Sequence, residues 1–169
     1  MKIIYGDILN ITEGIICQQV NCMGIMGSGL AKQIRNKYPR VYQKYKDFLN
    51  DKSLKIIPMG NNIRGLKVVE ETSEDYLGKV LIVDIKDNLY IANLFAQHKY
   101  GRDKQYTEYD KFEESLENLK FSITDTDLEN LPIYFPYKIG CGLGGGDWNI
   151  IFKLIEKAFP NAIIVKKEN

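Results

Sequence analysis

Apolar residues recur along the chain in two alternating rhythms. Residues 2–5 (KIIY) and 15–20 (IICQQV) are short runs rich in β-branched side chains, separated by the turn-like GDILNITEG, and they predict buried strands. From Leu30 the period lengthens. Leu30, Ala31, Ile34 and Tyr38 return at helical intervals, Pro39 interrupts, and Val41, Tyr42, Tyr45, Phe48 and Leu49 resume the spacing. Two consecutive helices are expected, over 29–37 and 39–50. Residues 66–71, 79–85 and 89–96 read as successive strands, with Asp87-Asn88 as a tight turn between the last two. Thr107-x-x-Asp110 has the form of a helix start, and Phe112, Leu116 and Leu119 mark one face of the helix that follows. PIYFP at 132–136 predicts a strand, DWNIIFKLIEKAF at 147–159 an amphipathic helix, and AIIV at 162–165 a closing strand, while 122–131 is the most loop-like stretch. Strands and helices alternate, which favours the α/β class: a mixed, mainly parallel central sheet with helices on both faces.

Composition narrows the picture. A length of 169 residues suits one domain, expected over 1–169, and 44% hydrophobic with 27% charged residues is ordinary for a folded chain. The 23 basic and 22 acidic residues nearly cancel, so no net field argues for a nucleic-acid duplex or an anionic membrane as partner. Any anion must therefore be held by a local site. Cys17, Cys22 and Cys141 lack metal-ligand spacing and His98 is the single histidine, so no metal is expected. The N-terminus has no apolar run of signal-peptide length, and no stretch approaches the roughly 18 apolar residues that span a bilayer. A cytoplasmic location, reduced thiols and a monomer are expected.

Chemistry concentrates in two glycine-rich loops. VNCMGIMGSGLA, residues 20–31, leaves a strand and enters a helix through Gly24, Gly27 and Gly29. Glycines there let backbone N–H groups approach an anion, and the helix N-terminus adds unsatisfied donors and a favourable dipole. IGCGLGGGDW, residues 139–148, carries five glycines in seven residues between a strand and a helix. Such a run costs more chain entropy than a plain connection needs, which points to a ligand-contacting loop. Gly140, Gly142 and Gly145 also fit a G-x-G-x-x-G pattern with Glu168 as the distant acid, but too little chain follows to complete a dinucleotide half. No Gly-Lys-Ser/Thr follows either loop, which excludes a P-loop. Two anion loops at strand ends imply a ligand with more than one phosphate, or a diphosphate gripped from both sides.

Gly6-Asp7-Ile8 after the first strand, Val20-Asn21 followed by Gly27-Ser28-Gly29-Leu30-Ala31, and Ile139 to Trp148 together resemble a macrodomain, over nearly the whole chain from Ile3 to Val165. The resemblance is to the branch that contains the terminal ADP-ribose protein glycohydrolase, the antitoxin partners of DNA ADP-ribosyl transferases, and phage and bacterial proteins of the ADP-ribose 1''-phosphate phosphatase type. It implies a three-layer α/β/α fold, ADP-ribose or a derivative as ligand, and no cofactor. It places Asp7 on the adenine amino group with Ile8 beside it, although by its residues alone Asp7 serves equally well as a turn cap. It places Asn21 at the distal ribose. It wraps the diphosphate and that ribose with Gly24, Gly27, Ser28, Gly29 and Leu30 of the first loop and with Gly140, Cys141, Gly142, Leu143, Gly144, Gly145 and Gly146 of the second.

Glycohydrolases of this branch use a lysine near the end of a central strand and an aspartate after the second loop's GCGL. Gln97 and Gly144 stand at those positions here, and neither can form a covalent adduct or act as a carboxylate. Near the expected distal ribose remain Gln18, Gln19, Asn21, Cys22, Gln97, His98, Cys141 and Asp147. Among these, Asn21, His98 as a general acid and Asp147 as the one carboxylate are the catalytic candidates, with helix capping the competing role for Asp147. The cysteines sit where helix N-termini lower a thiol pKa, or they fill small-residue packing. The segment 98–109, with Tyr100 and Arg102, either closes over a nucleotide or is a solvated loop before a helix. Three functions follow from the resemblance: hydrolysis of a substituent on the distal ribose with the 1''-phosphate first, non-catalytic reading of ADP-ribose, and ADP-ribosyl hydrolysis by a route without the Lys/Asp pair.

Overall fold

A computed structural model describes residues 1–51, 54–58 and 66–168, with 54–58 and 66–68 described by backbone alone. The chain runs β1 (Lys2–Tyr5), a 3-10 turn at Ile8–Asn10, β2 (Gly14–Asn21), α1 (Gly29–Lys37), α2 (Pro39–Asn50), β3 (Leu54–Pro58) and β4 (Leu66–Glu70). It continues with a 3-10 turn at Ser73–Tyr76, β5 (Val80–Lys86), β6 (Leu89–Gln97), α3 (Tyr109–Ile123), β7 (Ile133–Pro136), α4 (Trp148–Ala158) and β8 (Ile163–Lys166). The main sheet has six strands in the order β1-β8-β7-β2-β6-β5, parallel throughout except for β5, which closes a hairpin with β6. Asn88 takes the positive φ (58°) that this tight turn requires.

The period-two alternation of β2 and β6 builds both layers at once. Ile15 and Cys17, with Ala92, Leu94 and Ala96, face one way and pack with Phe112 and Leu116 of α3 and Ile151 and Ile155 of α4. Ile16 and Val20, with Ile91 and Phe95, face the other way against Ile34 of α1 and Val41 and Tyr45 of α2. Each such side chain contributes about 1.5–3 kcal/mol on full burial. Tyr45 stacks on Phe95 with ring centroids 5.8 Å apart, and Phe48 and Tyr76 join the same aromatic group. The result is three layers, α1 and α2 on one face, α3 and α4 on the other.

The strand expected over 66–71 is β4, and it pairs antiparallel with Leu54–Pro58 as a separate two-stranded unit and not with the main sheet. One expectation needs correction: Thr107 does not open α3. The N-cap is Glu108, which makes no side-chain capping bond, and the Thr107 hydroxyl donates instead to the Gly140 carbonyl at 2.8 Å. Among the described residues no helix is long and apolar enough to cross a membrane.

Candidate functional site

β2 and β7 are parallel neighbours, yet the helices that follow them leave to opposite faces: α1 joins the layer of Ile34 and Tyr45, α4 the layer of Ile151 and Phe112. Connections that diverge this way open a crevice beyond the strand C-termini. A cleft of about 480 Å³ lies there, with Gln18 and Gln19 of β2 in its lining, the first glycine loop on one side and residues 136–144 on the other. Gln97 at the end of β6, with Tyr100 and Arg102 just beyond it, forms the third side.

The first loop is organised by Asn21. Its Oδ1 accepts from the N–H of Met23 (2.9 Å) and of Ile25 (3.3 Å), and its Nδ2 donates to the Ile25 carbonyl (2.8 Å). The buried Tyr45 hydroxyl lies 2.7 Å from the Asn21 carbonyl and 2.9 Å from Oδ1. Asn21 thus lines the cleft while its amide is committed to the loop. Ser28 is the N-cap of α1 but makes no side-chain capping bond. The first-turn amides after it carry the partial positive charge of a helix start into the cleft wall. Gly29 has φ +55° with nothing within 4 Å of a Cβ built there, so at that point the wall is open backbone.

The second loop is tied down by its own carbonyls. Gly140 O accepts from Gly146 N–H (2.9 Å) and from Thr107 Oγ1 (2.8 Å), and Gly144 O accepts from Tyr106 N–H (2.8 Å) and Thr107 N–H (2.9 Å). A Cβ at Gly144 would lie 2.5 Å from both Gly140 O and Thr107 Oγ1. A side chain there, carboxylate included, requires this corner to rearrange. The corner is filled instead by neutral groups: Gln19 Nε2 donates to Gln97 Oε1 (2.7 Å) and to Thr107 Oγ1 (2.8 Å), and Gln97 Nε2 donates to Lys99 O (2.9 Å).

The sequence candidates divide accordingly. Gln19, Asn21 and Gln97 line the cleft, as do Gly27, Ser28, Gly29 and Leu30 of the first loop and Gly140, Gly142, Leu143 and Gly144 of the second. Gly24, Cys141, Gly145 and Gly146 do not; Gly146 packs against Ile151 and Gly24 against Lys46. Asp7 and Ile8 also lie outside the lining. Asp7 Oδ1 accepts from Leu9 N–H at 2.9 Å, a bond that holds its carboxyl below the usual 3.8, and Oδ2 lies 3.4 Å from Lys167 Nζ. His98 is turned to Ser73 Oγ (2.8 Å) and Glu74 (3.5 Å), away from the lining residues. Asp147 caps α4, accepting from Asn149 N–H at 2.7 Å. Cleft-lining residues not anticipated include Ile25, Pro136, Tyr137 and Lys138, with Thr107 behind the second loop, whose threonine signal was absorbed by the helix-start pattern.

No family model matches the sequence. The DNA ADP-ribosyl glycohydrolase of Mycobacterium tuberculosis is 26% identical over 157 residues, covering 91% of this chain. The chain spans only 37% of that relative's length. The macrodomain of Thermus aquaticus DarG superposes with a TM-score of 0.69 at 19% identity, covering 99% of this chain and 97% of that one. The chain has the macrodomain fold. Thermosipho africanus DarTG, solved in complex with ADP-ribose, shares this macrodomain fold at a TM-score of 0.68 and 18% identity, over 99% of this chain and 42% of that one. In sequence the macrodomain is similar to the DNA ADP-ribosyl glycohydrolase branch, while its cleft corner holds Gln97 and Gly144 within a neutral hydrogen-bond network.

Proposed function

We propose that this chain is an ADP-ribose-binding macrodomain whose two glycine loops grip the diphosphate from opposite sides. The observation that carries this reading is the cleft at the β2/β7 divergence, walled on one side by the α1 start without a side-chain cap and on the other by residues 140–144. Backbone donors so placed suit phosphate oxygens without any need for net positive charge. Relatives in DarTG and DarG, one of them solved with ADP-ribose, support the same ligand. Calorimetric titration with ADP-ribose tests it, with ADP and ribose 5-phosphate as partial ligands. Binding of ADP-ribose above either fragment is expected; no heat at millimolar ligand overturns the reading.

A second reading is hydrolysis of a substituent on the distal ribose, the 1''-phosphate first. Arg102 and Lys138 favour it, because two cations in the lining are more than an amide-held diphosphate needs. Water would attack while loop amides stabilise developing charge. Among the described residues the lining contains no carboxylate and no histidine, so side-chain proton transfer would have to come from elsewhere. Incubation with ADP-ribose 1''-phosphate and with ADP-ribosylated DNA or protein, followed by product analysis, separates phosphatase, glycohydrolase and reader. Without turnover of any of them, the function is reading of ADP-ribose alone.

A further inference from the structure

The neutral corner has a fixed hydrogen-bond direction, because both of its ends are backbone carbonyls, which only accept. At one end Gly140 O obliges the Thr107 hydroxyl to donate, so the hydroxyl must accept from Gln19 Nε2. At the other end Lys99 O obliges Gln97 to present Nε2 to it, so Gln97 Oε1 must accept the second proton of Gln19 Nε2. Both amide orientations are thereby determined, and among the described residues the Gln19 amide nitrogen is the group that touches both arms. Gln19 Oε1 is left enclosed without a partner, against Gly140, where a Cβ would lie 2.4 Å from it. The segment that leaves β6 at Gln97, carries Tyr100 and Arg102, and returns where Glu108 N–H meets Ala96 O is already bonded to the second glycine loop at its far end, where Tyr106 N–H and Thr107 N–H meet Gly144 O; the Gln19 chain adds a link from that loop to the segment's start at Gln97.

We propose that Gln19 is a positioning residue that couples the start of the segment following β6, at Gln97, to the second glycine loop, which Tyr106 and Thr107 hold only at the segment's far end, so that the two walls of the cleft respond to ligand as one unit. Its effect on affinity rests on the ADP-ribose reading above; the coupling itself does not. Partial loss of a buried network leaves its remaining members unpaired, so a cut at one arm is felt at the other. Thr107→Val cuts the glycine-loop arm and Gln97→Met cuts the rim arm, each with little change in volume. Thr107→Ser keeps the hydroxyl and is the rescue control.

Hydrogen exchange of the ligand-free protein tests the coupling directly. Gln97→Met is expected to quicken exchange of Gly146 N–H and its loop neighbours by about tenfold, although Gln97 makes no hydrogen bond to that loop. In a Gln19→Met background the same substitution is expected to add nothing. Calorimetry adds the ligand arm: Gln97→Met and Thr107→Val should each weaken ADP-ribose binding by about five- to tenfold, and the double variant by less than the product of the two. If Gln97→Met leaves exchange in 140–146 unchanged while Thr107→Val quickens it, Gln97 is not coupled to the loop through Gln19 and the proposal is wrong. Should Gln19→Met not fold, the contrast of Thr107→Val with Thr107→Ser and Gln97→Met decides alone. If the parent does not bind ADP-ribose, the ligand reading fails while the exchange result still stands.

Discussion

Cys22 and Cys141 sit in the two loops where backbone amides gather, and a thiol there gains reactivity only if those dipoles outweigh burial. Burial wins. It is the largest influence on both, raising Cys22 to about 12 with a further push from Glu108, and Cys141 to about 11. At neutral pH the Cys141 thiolate is then on the order of 100-fold scarcer than that of an unshifted cysteine. Alkylation by iodoacetamide, followed by mass spectrometry, is expected to be slow at neutral pH and to accelerate only as the pH approaches 11; labelling at the rate of a free thiol would contradict this. Asp7 shows the opposite balance, its carboxylate favoured mainly by the Leu9 N–H. A depressed folded pKa means that the contribution is fully present above the ordinary value of 3.8 and is lost as the pH falls below it. Asp7→Ala should therefore cost about 1 kcal/mol of stability at pH 7, the scale of a lost cap, with the difference from the parent shrinking at pH 3. Adenine recognition by Asp7 would add a loss of ADP-ribose affinity to the loss of stability. If affinity is unchanged while stability falls, Asp7 is a turn cap and no more.

At the scale of elements, Asp147 separates capping from catalysis. It accepts from Asn149 N–H at the start of α4 and lies outside the cleft lining, so Asp147→Ala is expected to cost about 1 kcal/mol in denaturant unfolding. Ligand affinity and any turnover should be unaffected, and a selective loss of turnover would return Asp147 to the chemistry. The elements themselves were mostly legible because the hydrophobic period carries them: helices expected over 29–37 and 39–50 are α1 and α2, and the 89–96 run is β6 with one residue more. What escaped was set by partners distant in sequence. The strand at 54–58 is recognised as such only by pairing with 66–70, and Thr107 looks like a helix start until Gly140 O is placed beside it. The glycine loops were readable because their cost in chain entropy needs a reason, and the Gln19 junction was not, because a glutamine has no pattern of its own.

At the scale of the molecule, the sheet holds two helical layers apart, and a ligand in the cleft touches what belongs to each: the α1 start from one layer and the loop leading to α4 from the other. With 23 basic against 22 acidic residues the molecule brings no general field to bear on an anion, so under the proposed ADP-ribose reading the grip would depend on backbone shape where the loops meet. Gly142 tests this cleanly. It lines the cleft, nothing lies within 4 Å of a Cβ built on it, and its φ is not in the positive region, so a side chain there meets only the space a ligand would use. Ligand at a hundred times its Kd stabilises the folded state by about 2.7 kcal/mol. For a chain of this length that corresponds to a rise in Tm of roughly 5–10 °C. The parent is expected to show that rise with saturating ADP-ribose. Gly142→Val should melt within a degree or two of the parent without ligand, since no packed atom is displaced, and should show no rise with it. A variant that still gains the full shift would mean that the ligand grips the fold without passing Gly142, and that the second loop's glycines serve packing among Gly140, Gly144 and Thr107 rather than the diphosphate.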